Sequence, residues 1–266
     1  MSTTPETSAP PPRKRRPPRR VEVTNVQVLS PAMRRITLKG TELEGFAPEA
    51  PASYIKLIFP EPGQTEPDRP LPDAPRPKSM RTYTPLAVRP DVHEVDVDFV
   101  LHGEGPASTW AAQARVGNVL FLMGPGPGYA LDKTAAEHLL IADDSALPAV
   151  ENILAELPSS ARVQLLVEVI SADEERTLKS TAAVTAQWLP RGSDHRSAGV
   201  PLEKALRSLA IPADAKIYLA CEAAAMRRIR KLLTDELGID RKNIVGRGYW
   251  KLDTINHPDH DYGEDN

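Results

Sequence analysis

Short stretches of alternating apolar and polar residues dominate the first half of the chain after residue 20. A period of two places successive side chains on opposite faces of a strand, so this alternation predicts β-strands. The predicted strands cover residues 21–23, 35–38, 54–59, 81–84, 94–101 and 119–123. Short strands separated by turns over about a hundred residues are typical of a small antiparallel barrel, here one of six strands.

The pattern changes after Tyr129, where continuous apolar runs alternate with segments of helical period. The predicted strands are 139–142, 163–170, 183–188, 216–221 and 243–250, and the predicted helices are 145–157, 201–209 and 223–237. Alternating strands and helices indicate a parallel sheet with helices on both faces. The second half is therefore expected to be a five-stranded α/β domain.

Three segments fit neither pattern. Residues 1–20 are rich in Pro and Arg and offer almost nothing apolar to bury, which predicts a disordered basic tail. Residues 253–266 are acidic and poor in apolar side chains and predict a second tail, while 60–80 reads as a long, mobile, Pro-rich loop. The expected folded domains are 21–132 and 133–252.

Composition and charge narrow the function classes. The chain has 266 residues, 41% of them hydrophobic, and a net charge of −3. The basic tail carries +5 and the rest −8, which argues against nucleic-acid binding by the folded part. No apolar run approaches the about 20 residues of a membrane span. The single cysteine, Cys221, excludes an internal disulfide and fits a reducing cytoplasm. We expect a cytoplasmic monomer that binds neither membrane nor nucleic acid.

The first candidate chemistry lies on one strand, Arg81-Thr82-Tyr83-Thr84. The guanidinium fork of Arg81 matches a pyrophosphate. The Tyr83 ring lies on the same strand face, where it can pack on a flat cofactor ring, and Thr84 adds a hydroxyl. The same four residues also describe an ordinary exposed strand.

The second candidate is a strand, a glycine-rich turn and a helix. The strand ends at His102, Gly103 and Gly105 turn the chain, and a helix is expected over 107–114. Helix N-terminal amides beside such a turn form an anion site, to which Ser108 adds a hydroxyl. The alternative is a plain connection in which Ser108 caps the helix.

Together with the Arg-x-Tyr-Thr strand, the segment from His102 to Ala111 resembles the siderophore-interacting proteins, bacterial FAD-dependent ferric-siderophore reductases of the ferredoxin–NADP reductase-like superfamily. Residues 141–149, 221–225 and 248–251 are similar to three further motifs of that family. The resemblance extends from residue 21 to residue 251. It implies a flavin-binding barrel followed by an NAD(P)H-binding-like α/β domain.

The resemblance also implies a FAD site built from both domains. Its expected residues are Arg81, Thr82, Tyr83, Thr84, Asp98, Val100, His102, Gly105, Pro106, Ala107, Ser108 and Trp110 in the barrel and Asp144, Ser145, Ala146 and Trp250 in the α/β domain. Tyr83 and Thr84 would take the catalytic position, with the Thr84 hydroxyl able to bond flavin N5. Lys251, Arg247 and Lys56 are the expected contacts of an anionic substrate.

The implied activity moves electrons from NADH or NADPH through FAD to a ferric siderophore and releases Fe(II). A ferredoxin-like donor stays open, as do two other functions: a general NAD(P)H:flavin or quinone reductase, and a non-catalytic flavin-containing siderophore carrier. No set of His, Cys and acidic residues has convincing metal-ligand spacing, and His257 and His260 fall in the expected tail. Iron would therefore arrive bound to its chelator.

The chain departs from the usual dinucleotide fingerprint. Asp143 and Asp144 stand where a glycine-rich turn would approach a pyrophosphate, and two carboxylates there would repel it. One of them can simply cap the following helix. The acidic turn 173–175 slightly favours NADH over NADPH by analogy, although solvated turn residues are the simpler interpretation.

Overall fold

The computed structural model of the chain describes residues 17–71, 75–102 and 105–254. Within them lie two sheets, one of seven antiparallel strands and one of five parallel strands. This confirms the expected order of an antiparallel barrel followed by an α/β unit. Most of the two expected tails, residues 1–16 and 255–266, lies outside the described residues.

The first sheet is curled and open, in the order β4-β3-β7-β1-β2-β6-β5. Its strands are β1 Arg19–Ser30, β2 Met33–Lys39, β3 Ile55–Ile58, β4 Met80–Tyr83, β5 Pro85–Arg89, β6 Glu94–Val100 and β7 Val119–Met123. The prediction of six strands was wrong, because β5 was missed. Pro85 opens that strand and its side chains are mostly half-buried, so the strand lacks a clear alternation. β1 also begins two residues earlier than expected.

One helix packs against the inward side chains of this sheet. α1 spans Pro106–Gln113, with Gly105 extended before it and Pro106 in its first turn, where the missing amide costs nothing. Ala107 and Ala111 of α1 join the apolar cluster formed by the inward side chains of the strands. The contact places the N-terminus of α1 at the end of β6.

The second sheet has the order β10-β9-β8-β11-β12. Its strands are β8 Glu137–Asp143, β9 Arg162–Val169, β10 Ala183–Pro190, β11 Lys216–Glu222 and β12 Ile244–Trp250. The chain proceeds outwards from β8 to β10 and then returns to the other side of β8 at β11. The carboxyl ends of β8 and β11 therefore flank the point where the strand order reverses, which is the usual ligand crevice of such sheets.

The helices of this half are α2 Leu147–Glu156, α3 Val200–Arg207 and α4 Ala223–Lys231, with a π-helical turn, Leu232–Glu236, after α4. α2 covers one face of the sheet, and α3 and α4 cover the other. The expected helix over 145–157 begins instead as a 3-10 turn at Asp144–Ala146. No helix among the described residues is long and apolar enough to cross a bilayer.

The two halves share a core. Met33, Ala52 and Tyr129 of the first half pack in the same apolar cluster as α2 and the strands beneath it. The Tyr129 ring lies 4.9 Å from that of Tyr218 on β11, centroid to centroid. Because this contact is buried, the junction between the halves has a defined geometry that can position a site.

Candidate functional site

β4 carries the Arg81–Thr84 segment at the edge of the first sheet. Arg81 is half-buried and donates to the carbonyl oxygens of Lys78 and Met80, both at 2.8 Å. Burial lowers the pKa of Arg81 from its very high ordinary value. Thr82 is exposed, whereas Thr84, which follows the strand, is buried. Alternate residues of a strand lie on the same face, so Arg81 and Tyr83 share one face.

Tyr83 belongs to an aromatic cluster that also contains a side chain of α1. Its ring centroid lies 4.6 Å from Phe99 and 6.3 Å from Phe59. Trp110 of α1 packs on the same two rings, at 5.3 Å from Phe59 and 5.8 Å from Phe99. β4 and α1 are therefore neighbours. Burial raises the pKa of the Tyr83 hydroxyl, which stays protonated at every physiological pH.

Ser108 Oγ accepts a hydrogen bond from the His102 amide at 3.0 Å, and residues 102 and 105–108 are together called the α1 turn below. The amide of Thr109 bonds to the Gly105 carbonyl at 2.8 Å. Pro106 has no N–H, so the amides of Ala107 and Ser108 are the donors left at this helix end. They give it a positive potential. Gly103 and Glu104 lie outside the described residues.

Two expected cofactor residues of β6 are occupied by other contacts. Asp98 is buried and accepts from Arg35 Nε and Nη2 at 2.7 and 2.9 Å. A second arginine, Arg176, lies 3.4 Å away from the other half of the molecule. Val100 packs against the shared apolar core. These contacts join the two halves, and Asp98 and Val100 stay predicted cofactor residues.

The carboxyl end of β8 meets the end of β12. Asp143 accepts from the Ser145 amide at 3.0 Å, from the Ser145 hydroxyl, and from the Trp250 indole N–H at 2.7 Å. Ser145 and Trp250 are half-buried, whereas Ala146 has no exposed surface. The structure thus brings together the four expected α/β residues, but Ala146 lies beneath the others.

Asp144 belongs to a buried charged cluster. Two members of this cluster, Arg191 and Glu168, were not predicted from the sequence. Arg191, which follows β10, lies 3.9 Å from Asp144 and 3.1 Å from Glu168 on β9. Burial raises the pKa of both Asp144 and Glu168 to about 7. It also raises the pKa of Asp143. A carboxylate inside the apolar strand 163–170 was the available signal for this cluster.

His195 brings this cluster to the barrel. Its Nδ1 accepts from Arg191 Nη1 at 3.2 Å, and its ring meets Trp250 edge-on at 6.2 Å. Arginine only donates, so Nδ1 of His195 is the acceptor in this contact. Burial lowers the pKa of His102, and a positive charge on His195 would lower it further. His102 beside α1 and His195 at the edge of the α/β sheet are therefore neighbours.

A chain of hydroxyl groups crosses the same junction. Thr84 Oγ1 lies 3.5 Å from the Tyr249 hydroxyl, which lies 2.9 Å from that of the buried Tyr218. Tyr249 was not among the expected site residues, although it lies within the 248–251 motif. The contact places the end of β4 against β12.

The three expected substrate contacts have different settings. Lys251 is exposed directly after β12. Lys56 lies over the Tyr54 ring at 5.7 Å, and burial together with the charge of Arg76 lowers the pKa of Lys56 to about 8. Arg247 instead donates to the carbonyl oxygens of Ala52 and Gly128, at 3.3 and 2.8 Å, and so ties β12 to the barrel.

Metal chemistry has no built site in the part of the chain that the structure describes. Among residues 17–71, 75–102 and 105–254, no group of three or more His, Cys, Asp or Glu side chains is arranged to hold a metal ion. Cys221 is buried, and burial raises the pKa of its thiol well above the ordinary value.

Two family models match this chain in the order of its two halves. Residues 22–129 match the siderophore-interacting FAD-binding domain, and residues 135–253 match the siderophore-interacting protein model. The chain is 32% identical over 245 residues to the ferric vibriobactin reductase ViuB of Vibrio cholerae, covering 88% of this chain and 89% of that protein.

Two further relatives cover most of the chain. The NADPH-dependent ferric-chelate reductase of Escherichia coli is 29% identical over 250 residues, which are 87% of this chain and 92% of that protein. The crystal structure of a siderophore utilization protein from T. fusca superposes with a TM-score of 0.81 at 31% identity, covering 91% of this chain and 96% of that one. By sequence and by fold, the chain belongs to the siderophore-interacting proteins.

Proposed function

We propose that this protein is a FAD-dependent ferric-siderophore reductase that uses a nicotinamide dinucleotide as its electron donor. The observation that carries the proposal is the contact of Thr84, directly after the Arg81–Tyr83 strand, with Tyr249 on β12 at 3.5 Å. We take the space between the α1 turn, this strand and the carboxyl edge of the α/β sheet as the cofactor cleft. Relatives named as ferric vibriobactin reductase and ferric-chelate reductase support the same activity.

The donor groups at the barrel side of the cleft fit FAD. The amides of Ala107 and Ser108 at the positive end of α1, with the Arg81 guanidinium on the neighbouring strand, would hold the pyrophosphate. The half-buried Tyr83 ring offers an apolar, planar surface for the flavin. When bound, FAD supplies the exchange between two-electron and one-electron transfer that links a nicotinamide to Fe(III).

The side chains themselves supply a fixed aromatic ring and hydroxyl groups at defined positions. Tyr83 presents a protonated hydroxyl and a fixed ring, because its burial disfavours the phenolate. The Thr84 hydroxyl can donate or accept, and Tyr249, which is itself bonded to Tyr218, keeps it at the junction. Tyr249 packs against the shared core, and Tyr83 packs against the apolar core of the barrel.

The substrate is iron that is already bound by its own ligand. Lys251 is exposed at the cleft edge and Lys56 is half-buried, so both can meet an anionic chelate. Fe(II) binds hard oxygen ligands more weakly than Fe(III) does, so reduction releases the metal without a protein ligand set.

The choice of donor rests on the relative that is named NADPH-dependent. Asp143 caps the turn before α2 with its own carboxylate, which takes the place of an anion there. Glu174, one of the acids that favoured NADH in the sequence, is buried and accepts bonds from Ser30 and the Ala32 amide. NADPH and NADH are therefore both candidates.

The test is an anaerobic absorbance experiment on purified protein loaded with FAD. We expect NADPH or NADH to bleach the oxidised-flavin band, and a ferric siderophore to restore it while a ferrous chelator traps Fe(II). Equal turnover with a quinone in place of the chelate would favour the general reductase. If the chelate binds but is reduced with neither nicotinamide nor ferredoxin as donor, the siderophore carrier is the remaining function. Failure to bind FAD would overturn all three functions.

A further inference from the structure

The segment that follows β9 crosses back to the barrel. Its 3-10 turn, Ala172–Glu174, ends in a glutamate of which only 5% is exposed. The Glu174 carboxylate accepts from the Ser30 hydroxyl and, at 3.3 Å, from the Ala32 amide, both in the turn between β1 and β2. This turn therefore docks on the barrel.

Two residues later, Arg176 reaches between the halves. Its Nη2 lies 2.5 Å from Glu151 Oε1 on α2 and 3.4 Å from Asp98 Oδ2 on β6. Arg35 holds the same Asp98 at 2.7 Å. The two arginines and two carboxylates balance in charge, and the Arg176 side chain is only 20% exposed. Because this network is paired and largely shielded from solvent, its geometry is more defined than that of an exposed ion pair.

The two elements that Arg176 joins each lead to one half of the cleft. β6 runs from Asp98 to its end at Val100, two residues before His102, whose amide donates to Ser108 Oγ in the α1 turn. α2 carries Glu151 about one turn after its start, and that start follows the Asp143–Ser145 turn. A shift of β6 relative to α2 would therefore change the width of the cleft.

We propose that Arg176 is a positioning residue that sets the spacing between the α1 turn and the Asp143–Ser145 turn, and with it the affinity for FAD. This inference rests on the proposed function, because it takes the cleft as the FAD site. Two further polar contacts of the junction, Arg247 with Ala52 and Gly128 and Asn152 with the Leu86 carbonyl, reach different parts of the barrel.

The experiment measures the FAD dissociation constant of the apoprotein by flavin fluorescence, together with the free energy of unfolding in urea. We expect Arg176→Ala to raise the Kd at least tenfold and Arg176→Lys, which keeps the charge, to restore much of the affinity. The matched control is Arg162→Ala, which removes the largely exposed partner of Glu137 and leaves the Kd within twofold.

A second variant separates positioning from stability. Removing Arg176 leaves Glu151 without its ion-pair partner, so Arg176→Ala combined with Glu151→Gln relieves the uncompensated charge. We expect this double variant to regain stability while its FAD Kd stays raised. Recovery of the affinity together with the stability would overturn the inference.

The outcomes also separate this inference from the proposed function. If the unaltered protein binds FAD and Arg176→Ala binds it equally well, the inference fails and the function stands. Equal weakening by Arg176→Ala and Arg162→Ala has the same meaning. If the unaltered protein binds no FAD, both fail. Should Arg176→Ala not fold, Arg176→Gln compared with Arg162→Gln decides by the same criterion.

Discussion

Nε of Arg191 lies 3.1 Å from Oε1 of Glu168, and the two side chains are only 3% and 2% exposed. This ion pair lies at the carboxyl edge of the α/β sheet beside Asp143 and Asp144, both of which are buried. One guanidinium therefore faces three carboxyl groups. Because three buried negative charges cannot all be balanced by one positive charge, protons are retained there.

We predict that this cluster makes stability fall as pH rises from about 4 to 7. Burial raises the pKa of Asp144 and Glu168 to about 7 in the folded state, from ordinary values of 3.8 and 4.5. Between these values the folded chain binds more protons than the unfolded chain, so raising the pH favours unfolding. Each group contributes a slope of up to about 1.4 kcal/mol per pH unit.

Glu168→Gln isolates the effect, because other carboxyl groups titrate in the same range. Urea unfolding at pH 5, 6, 7 and 8 should show a smaller decline in the free energy of unfolding for this variant than for the unaltered chain. Above pH 8 the gap between the two proteins should stay constant. The control is Glu156→Gln, which changes a largely exposed carboxylate paired with Lys133. Parallel pH profiles for Glu168→Gln and the unaltered chain would contradict the prediction.

A second prediction concerns the α1 turn. Ser108→Ala removes the acceptor of the His102 amide and loosens the turn that presents the α1 N-terminus. We expect the FAD Kd to rise about tenfold, the equivalent of one lost hydrogen bond of about 1.4 kcal/mol. Thr109→Ala, at the exposed next position, is the matched control. Fluorescence titration measures both, and equal affinities would show that Ser108 does not hold the site.

A third prediction concerns Arg247 and Lys251, which the sequence analysis grouped as substrate contacts and for which we now expect different effects. Arg247 is bonded to the carbonyl oxygens of Ala52 and Gly128, so we expect Arg247→Ala to lower the free energy of unfolding by about 1–3 kcal/mol. Lys251 is exposed, so Lys251→Ala should leave stability unchanged and raise the KM for the ferric chelate several-fold. Urea unfolding and steady-state kinetics measure the two effects, and the reverse assignment would contradict the prediction.

The order of elements could be predicted from periodicity, because β8 and β11 contain continuous apolar runs and strands such as β6 alternate. β5 was missed because Pro85 opens it and its burial does not alternate. Tyr83 and Ser108 stay predicted site residues that were chosen from local strand and turn patterns.

The contacts that the sequence could not predict are long-range ones. Arg247 and Tyr249 share one face of β12, and only the assembled fold shows that this face meets the barrel. Asp98 stays a predicted cofactor residue, but its contacts with Arg35 and Arg176 join segments far apart in the chain, which no local pattern indicates. Arg191 lies in the loop after β10, and no periodic pattern in the sequence indicates that it pairs with Glu168.

Lys56 supplies the last prediction, a pH dependence of substrate binding. Burial, and then the charge of Arg76, lower the pKa of the Lys56 ammonium to about 8. If Lys56 meets the anionic chelate, raising the pH from 7 to 9 removes its positive charge and the KM rises several-fold. Lys56→Arg keeps the charge over this range and should give a flat KM, whereas Lys39→Arg, at an exposed position on β2, should keep the rise. Steady-state kinetics at saturating donor test this, and a KM for the unaltered protein that is constant from pH 7 to 9 would remove Lys56 from the substrate site.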